Sequence, residues 1–492
     1  MKMKNIKYVT LLMILMLSMS CSDAFLDVND SSEQPTSTTP QLTLPAAQVY
    51  TANFLHDNAG NNYTLLGGIY AGAISDSGDR VWYQPEQQFL ITNDTYAVNI
   101  WDNTYTRALN SYDYVENFEG EGYDYYKAIA KIMKTFHFAS LVDIYGDIIY
   151  SEAFGRGENT QPAYDNDKAV YDAIYDQLNV AINLIDNAGP ETVLADADVM
   201  LGGDMDAWKK FANTLKLRML LRQVNTGEDL TAKYNEVFNN GIGFITSPVT
   251  VNPGYLDETN KQSPFYQRYG NGPADGPATS DNLAIRGSEV YVNFLKSNND
   301  PRLSRLFNSV NGDYFGVPQN TYETQYNTSS TSDLGPGLLI SSEQDDIIMN
   351  VSEALFLQAE AAQRFGLGDP ATLYRAAITA SIDELGATDA LSYETNSINP
   401  LINWNLAVAN GKEIEAIITQ KWIANAFIGG FEVWMDRVRT DFPSFVPLPP
   451  GAFLTTFPSN LLYPTSEIAN NSANVPSQGA SATTDRHTFW MQ

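Results

Sequence analysis

The sequence predicts a mainly α-helical protein, built from helix hairpins of the tetratricopeptide kind that are joined by long irregular loops. Apolar residues recur at spacings of three and four in several segments, which is typical of helices that bury one face. Between these segments lie stretches rich in Gly, Pro, Asn and Asp that have no such period. Strict 34-residue repeats are not visible, so the helix pairs only suggest the tetratricopeptide architecture.

A secretory signal peptide is predicted over residues 1–20. Lys2, Lys4 and Lys7 precede an apolar run from position 9 to 17, and small residues follow it. This apolar run has roughly half of the ~20 residues that a helix needs to span a bilayer. We therefore expect the segment to direct export and to be removed, and we leave it out of the fold.

A lipid anchor is predicted at Cys21, the single cysteine of the chain, which comes directly after the small residues. Acyl chains on this residue would hold the protein to a membrane, so membrane contact is expected through the lipid anchor only. Residues 21–41 are rich in Ser, Thr, Pro and Asp and predict a flexible tether. The remainder, 42–492, is predicted to be a single binding domain.

The strongest helical pattern gives one apolar face to residues 129–139, and Gly146 is the expected stop. Another helix is predicted to begin after Asp206, a good N-cap residue, and to carry Lys216 away from its apolar stripe. Four further helices are predicted over 170–185, 352–364, 371–385 and 413–427.

Two long loops are predicted at 246–285 and 309–336, where the helical pattern gives way to Gly, Pro, Asn, Asp and Tyr. Loops of this length in a compact protein are usually functional or disordered. The segment after residue 448, which is rich in proline, is also expected to be irregular. Ligand contacts are therefore expected in loops rather than on the helix stripes.

The formal net charge of −29 makes nucleic acid an unsuitable partner, because a field of this sign repels phosphate backbones. Neutral ligands or cations are easier to accommodate. The common catalytic motifs for hydrolysis, zinc, phosphate or dinucleotide binding are missing from the sequence, and it has only three histidines. We expect no enzyme activity, no cofactor and no metal, although 165–167 resembles the opening of a calcium loop without its glycine and terminal glutamate.

Several segments, in a fixed order, resemble one known family. They are FLDVN at 25–29, YGDIIYSEA at 145–153, WKKFANTLKLR at 208–218, QKW at 420–422 and WMDRVRT at 434–440. Together they resemble the SusD/RagB family of nutrient-binding outer-membrane lipoproteins, in its SusD-like branch. The match at 208–218 is the most specific, and the resemblance runs over nearly the whole length that follows the signal peptide.

The resemblance implies a SusD-like α-helical fold and a lipid-anchored, cell-surface-exposed position on an outer membrane of the Bacteroidetes type. It also implies a SusC-like TonB-dependent transporter as partner, and capture of a glycan, or of a peptide in some relatives. Trp208, Phe211, Trp422 and Trp434 are expected in the core. Asp436 is expected to form a buried ion pair with Arg437 or Arg439.

Candidate ligand-binding residues are aromatic side chains in polar stretches. A sugar ring needs flat aromatic faces flanked by groups that replace water on its hydroxyls. The candidates are Arg80, Trp82 and Tyr83, then Tyr266, Arg268 and Tyr269, then Tyr314 and Phe315, and separately Trp101. Each aromatic could instead pack under a loop, because the chain has 28 Tyr and 7 Trp.

Two other functions remain open at this stage. The same loops could bind a peptide through backbone hydrogen bonds and arginine contacts. The helix pairs could instead form an interaction scaffold without a small-molecule ligand, which would have no need for aromatic loops.

Overall fold

The computed structural model describes residues 38–57, 61–91, 95–189, 194–477 and 488–491. The described chain is mainly helical, as predicted. The signal peptide, Cys21 and the motif at 25–29 lie outside the described residues. The first helix begins at Pro40, so the last two residues assigned to the tether already lie in a helix. Proline suits this place because the first turn of a helix does not use its N–H groups.

Eleven α-helices lie between residues 40 and 284 of the described chain. They are α1 Pro40–His56, α2 Tyr63–Tyr70, α3 Gln84–Gln87, α4 Val98–Asn103, α5 Asn110–Glu116, α6 Asp124–Tyr145, α7 Asp167–Asn187, α8 Met205–Arg222, α9 Thr231–Asn239, α10 Pro264–Tyr269 and α11 Ser280–Ala284. A π-helical turn, Thr104–Leu109, joins α4 to α5.

Nine α-helices follow between residues 289 and 470 of the described chain, and the two longest of them form a hairpin after residue 350. They are α12 Glu289–Ser297, α13 Leu303–Leu306, α14 Val351–Phe365, α15 Pro370–Glu384, α16 Ala390–Asn396, α17 Trp404–Asn410, α18 Glu413–Asn425, α19 Gly430–Thr440 and α20 Thr465–Asn470. The helices predicted over 352–364, 371–385 and 413–427 are therefore confirmed, with ends shifted by one or two residues.

Helix hairpins form the framework, and the two main ones are α6 with α7 and α14 with α15. Helix α6 buries the predicted face and ends at Gly146, whose φ of 77° lies in a region that glycine adopts without strain. Helix α7 begins at Asp167 and is capped by Asn166, whose side chain accepts a hydrogen bond from the Ala169 N–H. The predicted helix hairpins are thus present.

Helix α8 differs from the prediction in two respects. Its N-cap is Asp204, whose carboxylate accepts the Ala207 N–H at 3.0 Å, and Asp206 lies in the first turn, exposed to solvent. Lys216 is buried instead of facing solvent, and its ammonium lies 2.8 Å from Glu236 of α9. A distant partner therefore lets a lysine enter the core, which its own helix pattern does not indicate.

Two helices cross at a contact between glycines. A Cβ atom on Gly67 of α2 would lie 2.2 Å from the carbonyl oxygen of Gly430, and one on Gly430 of α19 would lie 2.1 Å from the Thr64 oxygen. No side chain fits in this space. The missing side chains let the two backbones touch, and this contact sets the position of α2 just before the Trp82 segment.

The described strands are β1 Ile74–Asp76, β2 Val249–Val251, β3 Ile285–Gly287 and β4 Asp346–Met349. They form two antiparallel pairs, β1 with β3 and β2 with β4. In the first pair Asp76 lies opposite Ile285. This pairing brings the segment before Trp82 beside the end of the long loop at 246–285.

The aromatic and charged residues of the family motifs are core residues, as predicted. Trp208, Phe211, Trp422 and Trp434 are all at most 1% exposed. Asp436 pairs with Arg439 at 2.8 Å and also with Lys421 at 2.9 Å. Arg437 does not join this pair, because its guanidinium donates to the carbonyls of Pro443 and Val446. The expected buried ion pair is therefore the one with Arg439.

Candidate ligand-binding platform

Trp82 is presented at the surface on a short loop, residues 77–83, that we name the Trp82 loop. Its side chain is 48% exposed, and the adjacent Val81 is 51% exposed. The backbone beneath them is fixed from inside, because Asp76 Oδ2 lies 3.0 Å from both the Trp82 nitrogen and the Tyr83 nitrogen. The loop therefore presents a large apolar surface on a backbone that is held in place.

The Asp76 carboxylate is itself buried and held by a second residue. Gln87 Nε2 donates to Asp76 Oδ1 at 2.5 Å, and Gln87 Oε1 accepts from the Ser75 hydroxyl at 3.0 Å. Burial raises the pKa of Asp76 to about 6, and the hydrogen bonds from Tyr83, Gln87 and Trp82 limit this rise. Both oxygens of the carboxylate thus have defined partners under the loop.

The second aromatic cluster lies on helix α10 rather than in an irregular loop, and it meets the first at Asp281 of α11. The Tyr83 hydroxyl donates to Asp281 Oδ1 at 2.9 Å, and Arg268 donates to the same oxygen at 3.1 Å. The Arg268 guanidinium lies 5.9 Å from the centre of the Tyr269 ring. One carboxylate therefore joins two clusters that are almost 200 residues apart in sequence.

The segment 320–328 completes the support of the Trp82 loop. Asp79 accepts hydrogen bonds from the Thr328 nitrogen at 3.0 Å and from the Thr328 hydroxyl at 3.1 Å. The Gly78 nitrogen donates to the Tyr326 carbonyl at 2.5 Å, and a Cβ atom on Gly78 would lie only 2.6 Å from the Glu323 carbonyl oxygen. The close approach of these segments therefore requires glycine at position 78.

We use the name platform for the Trp82 loop together with Tyr266 and Arg268 of α10. The loop contributes the exposed Val81 and Trp82 side chains, and α10 contributes the half-buried Tyr266 ring and the Arg268 side chain, which is 10% exposed. This arrangement is suited to holding the apolar face of a ring while polar groups meet its substituents.

A family model described as starch-binding and associating with the outer membrane matches residues 32–464 of the chain. The protein belongs to the SusD-like family. This is a family of binding proteins associated with the outer membrane, and the resemblance read from the sequence motifs is confirmed.

Solved structures of SusD homologues share the fold over most of the chain. A chitin-binding SusD homologue from Flavobacterium johnsoniae is 23% identical, with a TM-score of 0.73, and the match covers 91% of this chain and 98% of that one. A SusD homologue from Bacteroides uniformis is 24% identical, with a TM-score of 0.71 and coverage of 92% and 99%. One from Bacteroides vulgatus is 21% identical, with a TM-score of 0.73 and coverage of 91% and 97%.

At these identities the solved structures establish the SusD-like fold and not the ligand. A search among curated proteins finds no match. Within the residues that the structure describes, no helix combines the length and the apolar composition that a membrane span needs.

In this SusD-like protein, two of the predicted aromatics hold the platform in place and are not exposed on it. Tyr83 is 4% exposed and Tyr269 is 1% exposed. The Tyr269 hydroxyl accepts a hydrogen bond from Asn62 at 3.1 Å, so it faces the core. Tyr266 is half-buried, and Trp82 is the most exposed aromatic of the two clusters.

The third predicted group lies apart from the platform. Phe315 is 42% exposed, and the Lys296 ammonium lies 5.4 Å from the centre of its ring. Its backbone exchanges hydrogen bonds with Ser332. Among the described residues, no hydrogen bond or ring contact joins Tyr314 or Phe315 to the Trp82 loop.

Trp101 belongs to a different place in the SusD-like fold. It lies in α4, is 2% exposed, and stacks on Tyr164 with 5.9 Å between the ring centres. It forms part of the wall of a separate cavity of about 630 Å³. Trp101 is therefore not brought together with the other predicted aromatics.

The segment compared with a calcium loop uses its side chains internally. Asp165 accepts the backbone N–H groups of Tyr150 and Ser151 at 3.0 and 2.8 Å. Asn166 caps α7, as described above. Across the parts of the chain that are described, no group of three or more His, Cys, Asp or Glu side chains is placed to hold a metal ion.

Asp76, Gln87 and Asp281 support the platform from below or beside it, and the sequence does not reveal this role. Each is a common polar residue, and Asp76 and Asp281 are two of the 58 acidic residues of the chain. Asp76 has only a weak signal, because it ends the short strand β1 and comes six residues before Trp82. Nothing local to Asp281 indicates its partners.

Proposed function

We propose that this protein captures a glycan at the cell surface and delivers it to a SusC-like TonB-dependent transporter of the outer membrane. The observation that carries the proposal is the half-exposed Trp82 side chain on a loop whose backbone is held by the buried Asp76. A rigid aromatic surface can bind a sugar ring without first having to be ordered.

Three features favour a glycan over other ligands. The platform combines an apolar surface with hydrogen-bonding groups, which is what the two sides of a sugar ring require. The net charge of −29 favours a neutral ligand over an anionic one. The family is described as starch-binding, and one structural relative is a chitin-binding protein. Peptide capture is the alternative that the same platform allows.

The proposed anchor is an acylated Cys21, with the tether carrying the binding domain away from the membrane surface. The protein would bind its ligand while the transporter supplies energy and passage, so no catalytic step is assigned to it. Replacing Cys21 by Ser is expected to release the protein from the outer-membrane fraction. Retention of this variant in that fraction would contradict the lipid anchor.

The function is tested with soluble protein that begins at Thr38, titrated with starch, chitin fragments, other polysaccharides and peptides. The expected result is binding of one glycan class, weakened about tenfold or more by Trp82→Ala. Tyr266→Ala should weaken it as well. Phe365→Ala is the matched control, because Phe365 is similarly exposed at 42% but packs against Tyr234, away from the platform.

Each outcome of the panel has a distinct meaning. Binding of peptides alone would replace the glycan by a peptide as the ligand. Glycan binding that is equally strong in Trp82→Ala would remove the platform as the site. Binding to nothing in the panel would favour a protein-interaction scaffold. The transporter is tested by purifying this protein from its native outer membrane, in the presence and absence of the ligand, with co-purification of a SusC-like protein as the expected result.

A further inference from the structure

A second cavity lies between α4, the π-helical turn, the segment 149–162 and α20. It has a volume of about 630 Å³, within the range of about 300–1,000 Å³ that is typical of ligand sites. Tyr105 and Phe154 supply half-buried aromatic surface, and the buried Trp101 backs the wall. None of the residues that line this cavity belongs to the platform.

Phe154 lies at the boundary between this cavity and a neighbouring one. Its φ of 63° is in the left-handed region, which is unusual for a residue with a bulky side chain. From the neighbouring cavity, the Lys134 ammonium lies 5.4 Å from the centre of the Phe154 ring. Lys134 is already paired with Asp113 at 2.9 Å and with Glu116 at 2.7 Å, so its charge is neutralised on that side.

Three carboxylates line the second cavity, and each is fixed through one oxygen. Asp102 Oδ1 accepts from the Ser466 hydroxyl at 2.7 Å. Glu152 Oε2 accepts from Asn159 and from the Ala163 nitrogen, both at 2.8 Å. Glu467 Oε2 accepts from the Tyr164 hydroxyl at 2.9 Å. Within the described part of the chain, the other oxygen of each carboxylate has no hydrogen-bond partner, and none of the three forms an ion pair.

The remaining polar side chains described in the lining are hydroxyl and amide groups without a positive charge. Thr106, Asn110, Asn159, Ser466 and Asn470 contribute these groups, and none of the described side chains that line the cavity is a lysine or an arginine. A molecule that fills this space meets aromatic surface, three carboxylates and several neutral polar groups. It must therefore bring hydrogen-bond donors, and a positive charge on it would be stabilised while a negative charge would be repelled.

We propose that this cavity is a second binding site, separate from the platform, and that it takes a saccharide carrying an amino group. The ring of such a ligand lies against Tyr105 and Phe154, and its hydroxyl and ammonium groups donate to the free oxygens of Asp102, Glu152 and Glu467. The same site accepts a neutral sugar more weakly and rejects a uronic acid. This inference does not depend on glycan binding at the platform.

The test uses three monosaccharides of similar shape and different charge, glucosamine, glucose and glucuronate, at about pH 6.5, where a primary amine is protonated. Affinities are measured by ligand-observed NMR titration on the soluble protein. The expected affinity is highest for glucosamine, lower for glucose and lowest for glucuronate. Glucosamine should bind at least about tenfold more tightly than glucuronate. The Trp82→Ala variant should give the same order and the same affinities.

Two double variants are compared. The test variant combines Asp102→Asn with Glu152→Gln, and the control variant combines Asp383→Asn with Glu343→Gln. Both pairs remove two negative charges, but Asp383 and Glu343 are exposed and lie outside the cavity lining. The first double variant should lower the affinity for glucosamine about fivefold or more, and the ratio of the glucosamine affinity to the glucuronate affinity should fall. The second double variant should leave the affinities for both sugars unchanged. Phe154→Ala should weaken the binding of all three sugars.

The proposal is overturned by equal affinities for the three sugars or by no saturable glucosamine binding. It also fails if Asp102→Asn with Glu152→Gln binds glucosamine as the parent does, or if Trp82→Ala abolishes that binding. Polysaccharide binding that is lost in Trp82→Ala, together with unaltered glucosamine binding, would support the two sites separately. Absence of polysaccharide binding with glucosamine binding retained would remove only the function assigned to the platform.

Discussion

The Tyr83 hydroxyl and the Asp281 carboxylate are joined by a hydrogen bond of 2.9 Å between residues 198 positions apart. This contact links the Trp82 loop to helix α11, and Arg268 of α10 shares the same carboxylate oxygen. The position of the exposed Trp82 relative to Tyr266 therefore depends on the hydrogen bond that the buried Tyr83 makes with Asp281.

Replacing Tyr83 by Phe should weaken ligand binding at the platform about three- to tenfold, because the link is lost while the ring remains. The free energy of unfolding should fall by about 1 kcal/mol. Titration with the glycan found in the panel, together with urea unfolding, measures both. The control is Tyr234→Phe, since the buried Tyr234 hydroxyl has no hydrogen bond among the described residues. An unchanged glycan affinity in Tyr83→Phe would show that the link does not position the site.

Replacing Asp76 by Asn should loosen the Trp82 loop. The carboxylate accepts through both oxygens, whereas an amide has one oxygen and would direct its NH₂ group toward another donor. The Gln87 amide cannot flip to compensate, because the Asn320 backbone N–H donates to the Gln87 side-chain oxygen at 2.8 Å and this hydrogen bond would be lost. We expect about a tenfold loss of glycan affinity and a destabilisation of about 1–3 kcal/mol.

The control for Asp76→Asn is Asp165→Asn. Asp165 also accepts two consecutive backbone N–H groups, at Tyr150 and Ser151, but lies away from the platform. The Asp165→Asn substitution should lower the stability of the protein without changing its affinity for the glycan. Equal losses of affinity in the two variants would mean that the effect comes from general destabilisation.

His137 should make the protein less stable in mild acid. It is fully buried against Thr51, 2.9 Å away, and burial lowers its pKa to about 3 from an ordinary value of 6.5. Between these two pH values the unfolded chain binds a proton that the folded protein does not, so stability is lost as pH falls below 6.5. From pH 7 to pH 5 this residue alone should cost about 2 kcal/mol.

The measurement is the free energy of unfolding at pH 7 and pH 5, for the parent and for His137→Gln. The variant is expected to be less stable at both pH values, but its loss between them should be smaller by about 2 kcal/mol. The same loss in both proteins would rule out His137 as the source.

Replacing Gly67 by Ala should separate α2 from α19. The new Cβ atom would lie 2.2 Å from the Gly430 carbonyl oxygen, and a backbone atom cannot move aside as a flexible side chain can. We expect a destabilisation of about 1–3 kcal/mol or more, seen as a lower thermal unfolding midpoint. Gly157→Ala is the control, because no atom lies within 4 Å of its added Cβ. A midpoint equal to that of the parent would contradict the close helix contact.

The helices could be predicted from the sequence because burial of one face imposes a period that any segment shows by itself. The stripe through Ile129 and Phe136 and the stop at Gly146 are examples. The start of α8 was misplaced by two residues because Asp204 and Asp206 are both good caps, and only the backbone conformation decides between them. The burial of Lys216 could not be predicted from its own helix, because its partner Glu236 comes from another helix.

The platform could be predicted only in part. Trp82 stood out as a large aromatic in a polar stretch, and the structure exposes it. The sequence could not separate exposed aromatics from supporting ones, so Tyr83 and Tyr269 were grouped with Trp82 although both are buried. Trp101 lies in another cavity, because the pairing of α4 with α20 depends on contacts between distant parts of the chain.

Besides the local hydrogen bonds to Asp76, several contacts connect the Trp82 loop, or Gln87 beneath it, to residues far along the chain. They reach Asp281, Asn320 and Thr328, with separations of 198, 233 and 249 residues. Contacts of this range form late, because a long segment must be ordered before its ends can meet. In the export that the sequence predicts, an emerging N-terminal half would therefore carry Trp82 but no finished binding surface. The ability to hold a ligand would arise only once the chain has folded as a whole, so partly translocated molecules would stay inert toward nutrients.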